Sequence, residues 1–387
     1  MTIQEMLERE DIYHIIETTL SRYFQEVHQN EITVKVQSRL RNNYVVYPRL
    51  GVIISRTPSW DVIKDTYRDF NVQNNLVRKI IAWGYITACF CTFGLLASRS
   101  LFVSNKKLLN NSIRIMPCNR KIRIFDYRKG QVDAILKEGF NDLYFKTELN
   151  YRLNPIHSFI PPIELYGKRW YRELILDGMG LVRVPEPEYS KKLQQTLSEL
   201  RTLHETTKQE VDALTYCHSL KEFINEQLPF LKEKKHIQTT DYLKNIVNLC
   251  CQYVEKNNQI IPMALSHGDL QTGNIFVESN GNVILIDWET AATRSIWYDT
   301  GRLLLYSQRK DKYAAMINGR HNMDIKKALL YFDECKNRDI TLVCSILILE
   351  EIKAFVDEII DLPGDIGTEI MDRLTNEFIQ IPELNEQ

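Results

Sequence analysis

Residues 265–299 read LSHGDLQTGNIFVESNGNVILIDWETAATRSIWYD. Asp269 stands in an HGD triplet, Asn274 follows five positions on, and Asp287 opens a DWE tripeptide. Between Asn274 and Asp287 two apolar-leaning runs, 275–279 and 282–286, flank Asn280-Gly281. An Asn-Gly pair between strand-like runs predicts a β-hairpin, because both residues tolerate the positive φ of a type I′ turn. Closing that hairpin brings Asn274 and Asp287 side by side at its open end. An amide oxygen and a carboxylate there, with Asp269 just upstream, form an oxygen-ligand set suited to Mg²⁺ rather than to a softer metal.

Mg²⁺ is commonly held by one or two carboxylates together with substrate phosphates, so the set implies a nucleotide, ATP by expectation. The order aspartate, asparagine, hairpin, aspartate fits phosphoryl transfer, with a base for the attacking hydroxyl followed by two metal ligands. The stretch resembles the catalytic loop and metal-binding segment of the aminoglycoside phosphotransferase and choline kinase superfamily, whose fold is protein-kinase-like. SHGD, NIFV and WYD resemble the aminoglycoside 3′-phosphotransferase pattern, whereas Asp287-Trp288-Glu289 resembles choline kinase. The resemblance implies that Asp269 is the catalytic base and that Asn274 and Asp287 are the metal ligands. It also implies that Asp299 braces the loop and that Glu289 reaches a second metal through water. His267 is expected to steady the loop.

Upstream, SIRIMP and KIRIFDY alternate with period two and predict a hairpin from Ser112. QVDAILK predicts a third strand, and a helix is expected over 142–153. In a kinase-like small lobe the third strand supplies a lysine for the nucleotide phosphates and the next helix a glutamate that holds it. Lys137 and Glu148 occupy those places and are the expected cofactor-binding pair. No GxGxxG precedes them, and Arg120-Lys121 in the hairpin turn reads as a solvated basic turn. Leucines at three- to four-residue steps over 190–207 predict a helix in which His204 is packed rather than catalytic. Further helices are expected near 219–232, 240–256, 303–307, 325–332, 341–360 and 366–378.

The fold class is therefore α+β: a bilobal protein-kinase-like fold with a small antiparallel-sheet N-lobe, a mostly helical C-lobe and an N-terminal α/β extension. The domain boundaries are 1–105 for the extension, 106–178 for the N-lobe and 179–387 for the C-lobe. In the extension, residues 1–30 read as amphipathic helix, residues 44–55 as two strands broken at Pro48–Gly51, and residues near 71–100 as helical.

At 387 residues, 44% hydrophobic and 26% charged, the chain has the composition of an ordinary globular protein. A net charge of −1 argues against a nucleic-acid partner held by bulk electrostatics. The eight cysteines show no metal-ligand spacing and read as free thiols of a reducing cytoplasm. MTIQEMLEREDIY carries no secretory pattern. Residues 80–98 are uncharged, but their two glycines, polar residues and evenly flanking basic residues favour a buried or interfacial helix over a membrane span. A protein partner for the extension is a further expectation. Glu350-Glu351 and Asp357-Glu358 read as a solvated helix face.

The favoured function is ATP- and Mg²⁺-dependent transfer of a γ-phosphate to a hydroxyl of a small molecule: a sugar, amino sugar, amino alcohol or cell-surface precursor. The alternative is a non-catalytic kinase-like scaffold or regulatory nucleotide-binding protein. A protein-serine kinase ranks lower, since no DFG and APE pair brackets an activation loop.

Overall fold

A computed structural model describes residues 2–38, 42–70, 76–105, 108–233, 237–306 and 339–361. The chain divides into two compact units, Met1–Pro155 with Pro161–Asp177, and Ile156–Ile160 with Gly178–Gln387.

The first unit is built on one antiparallel sheet. Its strands are β1 (Val34–Gln37), β2 (Tyr44–Tyr47), β3 (Val52–Ser55), β4 (Arg99–Val103), β5 (Ile113–Pro117), β6 (Lys121–Asp126), β7 (Gln131–Leu136), β8 (Leu165–Tyr166) and β9 (Trp170–Leu174). They lie in the order β1-β4-β2-β3-β5-β6-β7-β9-β8. Strands β2 and β3 are buried on both faces and alternate between two cores. Tyr44, Val46 and Ile53 face helices α1 (Ile3–Leu7) and α2 (Ile12–His28), whereas Val45, Tyr47, Val52 and Ile54 face α3 (Trp60–Phe70) and α4 (Leu76–Cys91). This is the period-two pattern of a strand covered on both sides. The expected boundary between residues 105 and 106 falls inside this sheet, where β3 pairs with β5 through Ile53↔Ile115 and Ile54↔Arg114.

Local signals explain the elements. Thr2 and Glu5 form a reciprocal capping box on α1. Asp11 accepts from the His14 amide at 3.3 Å and starts a second helix, so the single helix expected over residues 1–30 is two. The β5–β6 hairpin and β7 stand where the period-two pattern placed them. Helix α5 (Leu143–Arg152) follows, and it buries Phe145, Glu148 and Arg152.

The second unit is mostly helical. It contains β10 (Gly178–Gly180), α6 (Glu188–Thr207), β11 (Gln209–Asp212), α7 (Ala213–Glu233), α8 (Ile237–Lys256), β12 (Ile260–Ser266), β13 (Ile275–Glu278), β14 (Val283–Leu285), β15 (Ala292–Ser295), α9 (Tyr298–Gly301) and α10 (Ile340–Asp361). Helices α7, α8 and α10 share a core that includes Ile224, Ile246, Val254, Ile348 and Phe355. Each such side chain contributes about 1.5–3 kcal/mol by burial. Two three-stranded sheets, β10-β13-β14 and β11-β12-β15, hold the loops of interest. On α6, Leu197, Leu200 and Leu203 are buried, and so is His204, as expected of a packed histidine. The helices expected over 325–332 and 366–378 lie outside the described residues, as does the end of the one expected over 303–307.

The element order is thus the α+β, kinase-like one, an antiparallel-sheet unit followed by a helical one. Among the described residues no helix is long and apolar enough to cross a membrane.

Candidate active site

Strand β12 delivers the chain to a loop, 267–274, that is pinned from three sides. Asp299, fully buried on α9, accepts from Ser266 Oγ at 2.9 Å, the His267 amide at 2.7 Å and the Gly268 amide at 3.0 Å. Charge-assisted bonds of this kind are about twice as strong as neutral ones, so the carboxylate fixes the backbone just before Asp269. Gly268 has φ +85°, and a Cβ there would come 2.2 Å from the Thr290 carbonyl. Only glycine fits this turn.

His267 is fully buried against Trp288, with ring centroids 4.8 Å apart. Its Nδ1 accepts from the Asp269 amide at 3.3 Å, and Nε2 lies 2.8 Å from the Ile286 carbonyl. The pair of bonds selects the tautomer with the proton on Nε2. The imidazole therefore ties the loop to the strand end beside Asp287, and holds rather than reacts.

The hairpin is present, with Ile275↔Leu285, Phe276↔Ile284 and Val277↔Val283. Its turn differs from the expected type I′. Gly281 has φ +88°, and Asn280 is not among the positive-φ residues. The Glu278 amide bonds the Asn282 carbonyl at 2.9 Å, and the Gly281 amide bonds the Glu278 carbonyl at 2.9 Å. This is a three-residue loop closed by a left-handed glycine. Lys192 of α6 donates to the Gly281 carbonyl and holds the tip. At the open end the Ile286 amide donates to the Asn274 carbonyl at 3.0 Å, which puts Asp287 immediately beyond that rung.

Asp269 is 35% exposed at its side chain, and both its oxygens are engaged. Arg302 Nη2 donates to Oδ1 at 2.9 Å, while Asn274 Nδ2 and Gln271 Nε2 donate to Oδ2 at 3.0 and 3.2 Å. Asn274 Nδ2 also donates to the Asp269 carbonyl at 2.8 Å. With its nitrogen so used, Asn274 turns its amide oxygen to the other side, the donor atom a hard cation takes. Asp287 sits in the left-handed region, φ 65°, ψ 59°, directly before a 3₁₀ turn over Trp288–Thr290. Asparagine and aspartate oxygens at one strand end fit Mg²⁺ by chemistry.

Arg302 is not signalled by any motif, yet it is the centre of the outer half of the site. Its Nη1 donates to Glu351 Oε1 at 3.0 Å and to the Tyr298 hydroxyl at 3.1 Å. Its place one helical turn after Asp299 is the clue the sequence holds. Glu350 and Glu351 are not the solvated face expected of them, being 1% and 6% exposed. Glu350 accepts from the Ser295 amide, the Ser295 hydroxyl and the Tyr216 hydroxyl at 2.6, 2.7 and 2.8 Å. Burial nevertheless pushes its carboxyl up to about 6.

In the first unit the expected Lys137–Glu148 pair is not formed. Lys137 is fully buried, with Nζ 2.6 Å from Glu10 just beyond α1 and packed over the Phe140 ring. Burial pulls its ammonium below the usual lysine range, against the pull of Glu10. Glu148 instead receives Lys121, from the start of β6, and Arg152 Nη1 at 2.8 Å. Arg152 in turn pairs with Glu173. Burial alone would raise Glu148, but the Lys121 and Arg152 charges hold its carboxyl at about 2. The physical reason is register. Lys121 lies opposite Leu136, so it stands beside the end of β7, whereas Lys137 has passed the strand end and turned toward α1. Lys121 is therefore not the solvated turn residue expected of it.

A braced HGD loop, an asparagine–aspartate strand end and a buried lysine–glutamate pair are features of kinase-like phosphotransferases. Residues 177–326 match the family model of choline/ethanolamine kinases. That segment contains Asp269, Asn274, Asp287 and Asp299 together, so the superfamily recognised in the sequence is the one the match returns. No curated protein matches the chain. Among solved structures, the ethanolamine kinase of Plasmodium vivax is 15% identical with a TM-score of 0.46, over 82% of this chain and 94% of that one. Choline kinase LicA of Streptococcus pneumoniae is 14% identical with a TM-score of 0.41, over 70% and 91%. A thermostable mutant of aminoglycoside phosphotransferase APH(4)-Ia, in ternary complex with AMP-PNP and hygromycin B, is 10% identical with a TM-score of 0.46, over 70% and 94%.

Proposed function

We propose that the protein is a small-molecule kinase, moving the γ-phosphate of ATP to a hydroxyl of a sugar, amino sugar, amino alcohol or cell-surface precursor. The observation that carries this reading is Asp269, part-exposed and held at both oxygens, joined through Asn274 to the strand end that bears Asp287. Phosphoryl transfer asks a protein for positioning and charge neutralisation more than for covalent chemistry.

Asp269 orients the acceptor hydroxyl and takes its proton. Asn274 and Asp287 would hold Mg²⁺, and Glu289 would serve a second ion. When bound, Mg²⁺ offsets the charge that builds on the phosphate oxygens. Lys121, held by Glu148, takes the phosphate-binding role that the sequence pattern suggests for Lys137. Arg302 fixes Oδ1 of Asp269, which leaves the carboxylate one orientation. A cytoplasmic setting accords with an ATP donor.

The test is MgATP-dependent ADP release across a panel of hydroxyl compounds, with Asp269→Ala and Asp287→Ala beside the wild type. Turnover on at least one acceptor, lost in both variants, is expected. Nucleotide binding without turnover on any acceptor would instead mark a non-catalytic scaffold.

A further inference from the structure

Arg152 ends α5 almost fully buried, and all three nitrogens of its guanidinium donate. Nε donates to the Pro161 carbonyl at 2.8 Å, Nη1 to Glu148 Oε1 at 2.8 Å, and Nη2 to Glu173 on β9. The bond to Pro161 is half of a clasp, because the Ile163 amide donates back to the Arg152 carbonyl at 3.1 Å. The guanidinium also lies 5.2 Å from the centre of the Tyr171 ring, which is itself fully buried. One side chain thus ties the end of α5 both to β9 and to the segment 161–163.

The bond to Glu148 also acts on Lys121. Glu148 is fully buried and its two oxygens are divided, Oε1 accepting from Arg152 and Oε2 from Lys121. A carboxylate that meets a planar, pre-organised guanidinium at one oxygen keeps one orientation. With Oε1 released, the last torsion of the glutamate is broad, and Lys121 loses a fixed partner. Packing alone does not call for this arrangement. Apolar side chains of similar volume hold buried elements together as well as an ion chain or better, since charged groups must first be stripped of water. The series Lys121–Glu148–Arg152–Glu173 alternates in sign and has Lys121 at one end. It is suited to placing a charge.

We infer that Arg152 is a positioning residue for the nucleotide: by holding Glu148 Oε1 it turns Oε2 to Lys121 and fixes where that ammonium meets the phosphates. The inference rests on the phosphate-binding role proposed for Lys121. Its test is calorimetric titration of the full chain with Mg²⁺ and AMP-PNP, which needs no acceptor. The variants form a double-mutant cycle: Arg152→Met, Glu148→Gln and the two together. Arg152→Met should weaken binding about tenfold, and Arg152→Lys about threefold, since one ammonium cannot serve three partners. In the Glu148→Gln background Arg152→Met should cost less than about twofold, whereas a merely structural arginine would give losses that add. Circular dichroism melting reads folding, and Arg152→Lys takes the place of Arg152→Met in the cycle if that variant unfolds. Additive losses, or wild-type affinity in both Arg152 variants, would overturn the inference. Nucleotide binding without turnover on any acceptor would count against the kinase reading and leave the cycle to decide on Arg152. A wild type that binds no nucleotide overturns both.

Discussion

The ammonium of Lys137 lies 2.6 Å from the carboxylate of Glu10. The two residues are 127 positions apart, and the bond takes Lys137 away from Glu148, which pairs with Lys121 instead. Two lysines at neighbouring strand ends thus have different duties. Lys121→Met should lower kcat/KM for ATP by about a hundredfold, through lost phosphate positioning. Lys137→Met should leave catalysis close to wild type but cost about 3–5 kcal/mol of stability, because Glu10 is left without its partner. Steady-state kinetics beside urea unfolding separate the two. Equal kinetic losses would return Lys137 to the nucleotide.

Arg302 acts on Asp269 rather than on substrate. Arg302→Ala should reduce kcat by about ten- to a hundredfold with little change in KM for ATP, since the general base loses its fixed orientation. Arg302→Lys should recover part of this, as a single ammonium cannot span Asp269 and Glu351 at once. A change confined to KM for ATP would contradict the assignment.

Gly268→Ala tests the loop itself. The added methyl meets a backbone carbonyl in a left-handed turn, so the loop must shift. A loss of about 2–4 kcal/mol of stability is expected together with loss of turnover. Thermal melting beside ADP release reads both. A variant with wild-type melting and wild-type rate would show that the turn can relax.

The hairpin could be read from the sequence because its signals are local: two apolar runs, an Asn-Gly and fixed spacing. Its turn type could not, since pairing Glu278 with Asn282 is a choice of register that the same residues also permit. Asp269, Asn274 and Asp287 stood out for the same reason of spacing. Lys121 was legible as a lysine beside a turn but not as the partner of Glu148, because that depends on which lysine α1 captures. Glu350 and Glu351 look like surface charges until Ser295, Tyr216 and Arg302 are placed opposite them.

Buried carboxyls set the pH response. Glu350 is held up at about 6 in the fold, above its ordinary 4.5. A raised carboxyl binds more protons folded than unfolded, so its contribution is present below pH 4.5 and is lost as pH rises through about 6. The loss should be ~2 kcal/mol across that window. Glu350→Gln should flatten this component, measured by denaturant unfolding between pH 4.5 and 7. Glu148, held at about 2, acts in the opposite sense and weakens the fold only as pH falls from 4.5 toward 2. An identical pH slope in Glu350→Gln would refute the assignment.

The nine-stranded sheet also bears on how the chain is made. Four of its strands come from the first 105 residues, and β3 ends them with an edge that β5 later joins. Chains emerge amino end first, and a finished edge is a template for the next strand. The edge of β3 thus receives β5, and β6 and β7 follow in the same order in the sheet as in the chain. Register then decides which lysine meets which carboxylate: Lys137, past the end of β7, turns to Glu10, and Lys121 at the start of β6 is left for Glu148.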